Sequence, residues 1–159
     1  MIPKFRAWDR KNKVMRDVKG LIWEETDLIG HCNLIAHCPP RGHEFNEWFT
    51  VTLDGSKYQL MQSTGFKDNN DTEVFEGDVI NIHWFYADFD PVELGAFENE
   101  GYAERVIVKK EFGNFGFWWE EADSWVDLAT LAMSARLDEE SFEILGNIYE
   151  NPELASLGF

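Results

Sequence analysis

Cysteine is scarce in this 159-residue chain: Cys32 and Cys38 are the only two, too few for a disulfide framework. No apolar run approaches the length needed to cross a bilayer, and Met1-Ile2-Pro3-Lys4-Phe5 carries none of the apolar stretch of a secretory signal. The expectation is a cytoplasmic setting without membrane association. Basic residues are also in short supply, with 14 Lys and Arg against 30 Asp and Glu and a net charge of −16. Such a surface repels nucleic-acid phosphates and anionic membranes and favours basic partners.

The usual signatures of chemistry are missing too. No Gly-x-Ser-x-Gly nucleophile motif occurs, and Gly113-Asn114-Phe115-Gly116 is too short for a phosphate loop and reads instead as a turn between strands. Asp68-Asn69-Asn70-Asp71-Thr72-Glu73 lacks the central glycine and the closing bidentate acid of a calcium loop, so a hairpin turn is the better account. The acidic clusters at 88–104 and at Glu120, Glu121 and Asp123 are what an acidic composition produces, and nothing nominates one carboxylate as an acid or base. One cluster has metal-binding residue types: His31, Cys32, His37, Cys38 and His43. Thiolates and imidazoles suit zinc, but adjacent His-Cys pairs compete for one tetrahedral shell, and two separated clusters with short internal spacing are absent. Ordinary loop and half-buried side chains are the expectation there. No catalytic, cofactor-binding or metal residue is assigned, and no enzyme activity is expected.

Aromatic residues, by contrast, are plentiful: 13 Phe, 7 Trp and 4 Tyr within a chain that is 44% hydrophobic. Bulky rings in this number supply a core without cross-links. The charge is unevenly placed. Lys4, Arg6, Arg10, Lys11, Lys13, Arg16 and Lys19 face only Asp9 and Asp17 in the first twenty residues, so the acidity belongs to the rest. The basic stretch either touches phosphate or neutralises the acidic body, and the second is favoured because charge runs in small domains are usually solvated faces.

Strand patterns dominate. Residues 4–15 read as a hairpin, 21–23 as a strand, and 49–60 as a second hairpin turning at Asp54-Gly55. A strand follows from Val79 to Trp84, with Ile80, Ile82 and Trp84 on one face. Residues 86–104 read as a long acidic loop without Lys or Arg up to Glu104. Arg105–Lys109, Phe117–Trp119 and Phe142–Ile148 read as strands. From about Asp123 to Leu137 the period becomes helical, through Trp125, Leu128, Ala129, Ala132 and Ala135. Many short strands with one helix point to a small barrel or sandwich.

Residues 61–80, residues 146–154 and the opening Lys4-Phe5-Arg6-Ala7-Trp8-Asp9 together resemble the YopX family of phage and prophage proteins. The resemblance implies a mainly β protein: an SH3-like small barrel in the C-terminal half, an N-terminal β-rich subdomain and one short helix, divided near 1–60 and 61–159. It implies no catalytic residues. Where the family tends to have Asn-Gly, this chain has Asn70-Asp71, and Asp tolerates the left-handed region well enough to keep the turn. Glu76-Gly77-Asp78 reads as a tight lead-in to the following strand, a structural motif.

The functional expectation is a phage or prophage accessory protein acting as a non-enzymatic interaction module on a host or phage protein, with self-association a further expectation. Trp118, Trp119 and Trp125 are candidate anchors, with a core role as the default for each. The alternatives are nucleic-acid binding through Lys4–Lys19, which the acidic body opposes, or an acidic surface that mimics DNA.

Overall fold

Strand-forming residues punctuated by turn residues give thirteen strands and two short helices among the described residues. A computed structural model of the chain describes residues 4–18, 20–25, 32–37, 48–52, 58–92 and 95–156. The chain divides into two units, Met1–Ser63 and Thr64–Phe159.

In the first unit, β1 (Phe5–Asp9) and β2 (Val14–Asp17) form the expected antiparallel hairpin, in register from Arg6↔Asp17 to Asp9↔Val14. β1 pairs on its other side with the first part of β6 (Tyr58–Lys67). Asp9 closes the hairpin from inside, at 1% exposure. Its Oδ1 accepts from the Lys11 and Asn12 amides, both at 3.1 Å. Its Oδ2 accepts from Asn12 Nδ2 at 2.9 Å and from Arg16 Nε and Nη2 at 3.1 and 3.0 Å. Burial acts to raise the Asp9 pKa, but the Asn12 amides and the Arg16 guanidinium outweigh it and hold the carboxyl below its ordinary range. Arg6 and Arg16 are themselves buried, so part of the basic N-terminal run is consumed inside the hairpin.

A second sheet in this unit has the order β3 (Gly20–Glu25), β4 (Cys32–His37), β5 (Trp48–Thr52). The strand expected at 21–23 is β3. Among the described residues, the two strands of the hairpin expected over 49–60 are not paired with each other. Both strands exist, but β5 pairs with β4 while β6 pairs with β1. The turn expected at Asp54-Gly55 lies outside the described residues.

In the second unit, antiparallel sheets curl into a half-barrel, in agreement with the expected mainly β fold and small C-terminal barrel. The latter part of β6 has β7 (Glu73–Phe75) beside it. The turn between them survives without glycine, because Asp71 adopts φ 63° and Asp68 Oδ1 accepts from the Asn70 and Thr72 amides, both at 2.9 Å. β8 (Asp78–Asp90) lies between β13 (Phe142–Asn147) and β9 (Gly95–Ile107). A third sheet runs β10 (Lys109–Glu111), β11 (Asn114–Trp119), β12 (Ser124–Asp127). The core gathers Val74, Ile80, Ile82, Trp84, Val106, Val108, Phe117, Leu128 and Phe142.

The corner Glu76-Gly77-Asp78 ties these pieces together. Gly77 adopts φ 85°, a conformation that side chains disfavour. Its amide donates to the Val108 carbonyl, and its carbonyl accepts from the Ile148 amide. Asp78, at 1% exposure, accepts the Phe75 amide through Oδ2 at 2.8 Å, while its carbonyl takes the Val108 amide. Asn147, the register partner of Asp78, closes the far side by accepting the Tyr149 and Glu150 amides.

Three expectations are corrected here. Residues 86–90 and 95–104 are strand and not loop, because β8 and β9 continue through them as a long antiparallel pair, from Val79↔Ile107 to Asp90↔Gly95. The turn expected at Gly113–Gly116 falls earlier, since β10 ends at Glu111 and Phe112 (φ 53°) and Gly113 (φ 82°) occupy it. The helix α1 covers only Leu128–Ser134, as Asp127 caps it through the Ala129 and Thr130 amides and Trp125 lies on β12. A second helix, α2 (Pro152–Ser156), opens on Pro152, whose fixed φ suits the first helical position.

Two outcomes follow from these buried carboxylates. Asp78→Ala orphans the Phe75 amide and lowers stability by at least about 1–3 kcal/mol, read from the urea midpoint; an unchanged midpoint refutes the role of the corner. Asp9→Ala removes the carboxylate that the buried Arg16 guanidinium engages, at a cost of about 3–5 kcal/mol near neutral pH. Because the folded Asp9 pKa is depressed, its contribution is full above the ordinary carboxylate range and disappears as pH falls through the folded value. Protection of the Lys11 and Asn12 amides from exchange, relative to the intrinsic rate at each pH, should therefore fall in acid in the wild type, with no such acid step in Asp9→Ala.

Candidate functional site

The long β8–β9 hairpin changes character along its length. Near its base, Val79, Ile80, Ile82 and Trp84 are buried. Beyond Tyr86 and Asn99, the described residues of both strand faces are largely exposed, with Phe89 at 58% and Val92 at 88%. An isolated two-stranded ribbon is marginal in water, and a cation from elsewhere in the unit steadies this one. Arg136 pairs with Glu98 (Nη2 to Oε1, 2.9 Å) and sits 4.2 Å from the Phe85 ring centroid, while its backbone exchanges two hydrogen bonds with Phe85. The acidic stretch, poor in basic residues of its own, thus borrows one from the segment after α1.

Where the hairpin leaves the core, an open cleft of about 1130 Å³ lies between β9 and the end of β11. Its apolar wall begins with Trp84, whose register partner on β9 is Gly101. A Cβ at Gly101 would overlap the Trp84 indole, so the glycine lets the ring lie across the neighbouring strand. Trp119 meets Trp84 edge-on at 5.1 Å, its Nε1 buried without a hydrogen-bond partner. Tyr102 and Trp118, each 47% exposed, present their rings to solvent beside this pair.

The polar rim is mostly acidic. Glu100 and Glu104 come from β9, Glu120 and Glu121 from the turn after β11, and Arg105 and Lys109 supply the opposing charge. The two acidic clusters that look independent in the sequence therefore converge on one cleft. Arg105 sits in a bulge, where β9 carries one residue more than β8 between Ile80↔Val106 and Ile82↔Ala103. Its φ of 52° is stabilised by Asn81, whose Oδ1 accepts the Arg105 amide at 3.0 Å.

Of the three candidate anchors, Trp118 and Trp119 line the cleft and Trp125 does not. Trp125 is the register partner of Trp118 and packs on Gly116, where a Cβ would strike its ring and the Val126 carbonyl. Sequence reading passed over Tyr86, Gly101 and Tyr102. The available signal was aromatic residues flanking a glycine inside an acidic run.

Cys32 and His37 are the two ends of β4, paired with Glu25 and Gly20. Five residue steps of strand separate them by about 17 Å, too far for one tetrahedral shell. His31, Cys38 and His43 lie outside the described residues, and among those described no group of three or more His, Cys, Asp and Glu is placed to hold a metal. Among the described residues, no helix is long and apolar enough to cross a membrane.

Comparison with known proteins supplies an identity without an activity. No curated protein matches the chain. The crystal structure of protein EF1440 from Enterococcus faecalis is similar at 28% sequence identity and a TM-score of 0.49, over 97% of this chain and 98% of that one. The family model for YopX protein matches residues 4–156, and on that match over nearly its whole length the chain belongs to the YopX family.

Proposed function

We propose that this protein is a non-enzymatic interaction module of phage or prophage origin, whose aromatic cleft receives a basic segment of a partner protein. The observation that carries this reading is the pairing of exposed Tyr102 and Trp118 with a rim of four glutamates. Aromatic faces attract Lys and Arg through their quadrupoles, and carboxylates around them add steering. Half-exposed rings lining a cleft have the composition of interface anchors.

The alternatives gain less from the geometry. In the basic N-terminal hairpin, Arg6 and Arg16 are buried and Arg16 is committed to Asp9, which leaves fewer cations for phosphate. DNA mimicry calls for carboxylates spaced along one face. On the ribbon, the cross-strand register puts Asp88 and Asp90 on one face and Glu98 and Glu100 on the other.

Panning a random peptide library against the immobilised protein tests the proposal. Recovered peptides should be basic, their binding should weaken with salt, and Trp118→Ala should weaken it by about 2 kcal/mol or roughly thirtyfold. Equal recovery on wild type and Trp118→Ala, or enrichment of acidic peptides, would refute it.

A further inference from the structure

The run of residues that lines the cleft carries more information than their types. In a strand, successive side chains point to opposite faces, so a cavity lying on one face touches every second residue. Here eight consecutive residues of β9, Glu100 through Ile107, line the cleft. Buried Gly101 and Ala103 alternate there with exposed Tyr102 and Glu104. A void that meets both sets opens on the strand's edge, where main-chain N–H and C=O groups are presented. The topology agrees, since among the described residues β9 is the outer strand of its sheet, and the opposite wall is the end of β11, in a different sheet, with the turn that follows it. The cleft is the open seam of the half-barrel.

We propose that the seam is completed by strand addition, with an extended basic segment of a partner protein pairing along the edge of β9. This deepens the cleft reading above and rests on it. The free edge provides main-chain hydrogen bonds, and the aromatic and acidic walls select the side chains. The eight-residue run spans about 26 Å of extended chain, enough for a short strand. Charge argues for a basic occupant over a second copy of this chain, because two clefts rimmed by Glu100, Glu104, Glu120 and Glu121 would face like charge. The bulge at Arg105 works in the same direction. It twists the edge away from the flat, long register that two large sheets need, while a short peptide can follow the bend.

The test uses the full chain and a blocked octapeptide of alternating lysine and valine. Tryptophan fluorescence reports occupancy of the cleft, and hydrogen–deuterium exchange reports on the β9 edge. At ten times its dissociation constant, the peptide should slow the edge-facing amides between Gly101 and Ile107 by about tenfold. The same peptide N-methylated at alternate residues, unable to complete the ladder, should lose that protection. A fluorescence change with unprotected β9 amides would overturn strand addition and leave the cleft reading standing. An octapeptide that changes neither signal overturns addition of a basic strand, while the library selection decides the cleft reading separately. If these amides are protected without peptide and the protein sediments as a dimer, the occupant is a second copy, and the proposal of a basic partner strand is refuted.

Discussion

The second unit depends on one buried carboxylate and the glycine before it. Asp78 is held at 1% exposure because its Oδ2 takes the Phe75 amide while its main chain engages Val108. Gly77, at positive φ, receives the Ile148 amide and donates to the Val108 carbonyl. Two distant segments, at Val108 and Ile148, thus end on two residues that also hold the neighbouring β7. Burying a carboxylate is costly unless hydrogen bonds replace the lost water, so the corner is stable only when the segments arrive together. That reciprocity fixes where β8 starts, and through its register it fixes where Trp84 falls opposite Gly101.

The cleft follows from the same placement. Once Trp84 lies across Gly101, Trp119 packs edge-on against it, and the residues beside that pair cannot be buried as well. Tyr102 and Trp118 stay half exposed, and the glutamates around them remain in solvent. An open edge strand is a hazard for any β protein, and charge and bulges are the usual protections. This edge has both, with Glu100 and Glu104 beside it and the Arg105 bulge within it. The devices that discourage indiscriminate pairing also define what can pair.

Much of the strand pattern was legible because it obeys the period of two. The buried alternation from Val79 to Trp84 and the final strand through Phe142 carry apolar residues on one face, and the β1–β2 hairpin showed through its polar turn between two short strands. The distal ribbon was illegible for the opposite reason. A strand exposed on both faces needs no apolar alternation, so Asp88, Asp90, Glu98 and Glu100 looked like loop. Its stabilising cation, Arg136, is 38 residues from Glu98 in sequence. The pairing of β5 with β4 was hidden because Asp54-Gly55 is a local signal and strand pairing is not. Helix α1 was overextended because Trp125 and Ala135 fit a helical period by coincidence, whereas Asp127 is the cap that starts it. For the cleft, the acidic clusters were visible, but their convergence depends on a fold that brings β9 to the end of β11.

The segments that carry the family resemblance sit mainly at the corner. Residues 61–80 contain Gly77 and Asp78, and residues 146–154 contain Asn147 and Ile148, whose contacts join them. Glu76-Gly77-Asp78 is therefore a folding motif, as its turn chemistry suggests. The cleft is built almost entirely from other residues: the upper part of β8, the middle of β9 and the end of β11. Family membership thus conveys the scaffold and says little about the ligand. A sequence with the same corner and no Trp118, Tyr102 or acidic rim could keep this fold while presenting a different edge. The proposed partner is accordingly to be sought from the chemistry of the chain's own seam, and in that proposal the net charge of −16 acts on binding.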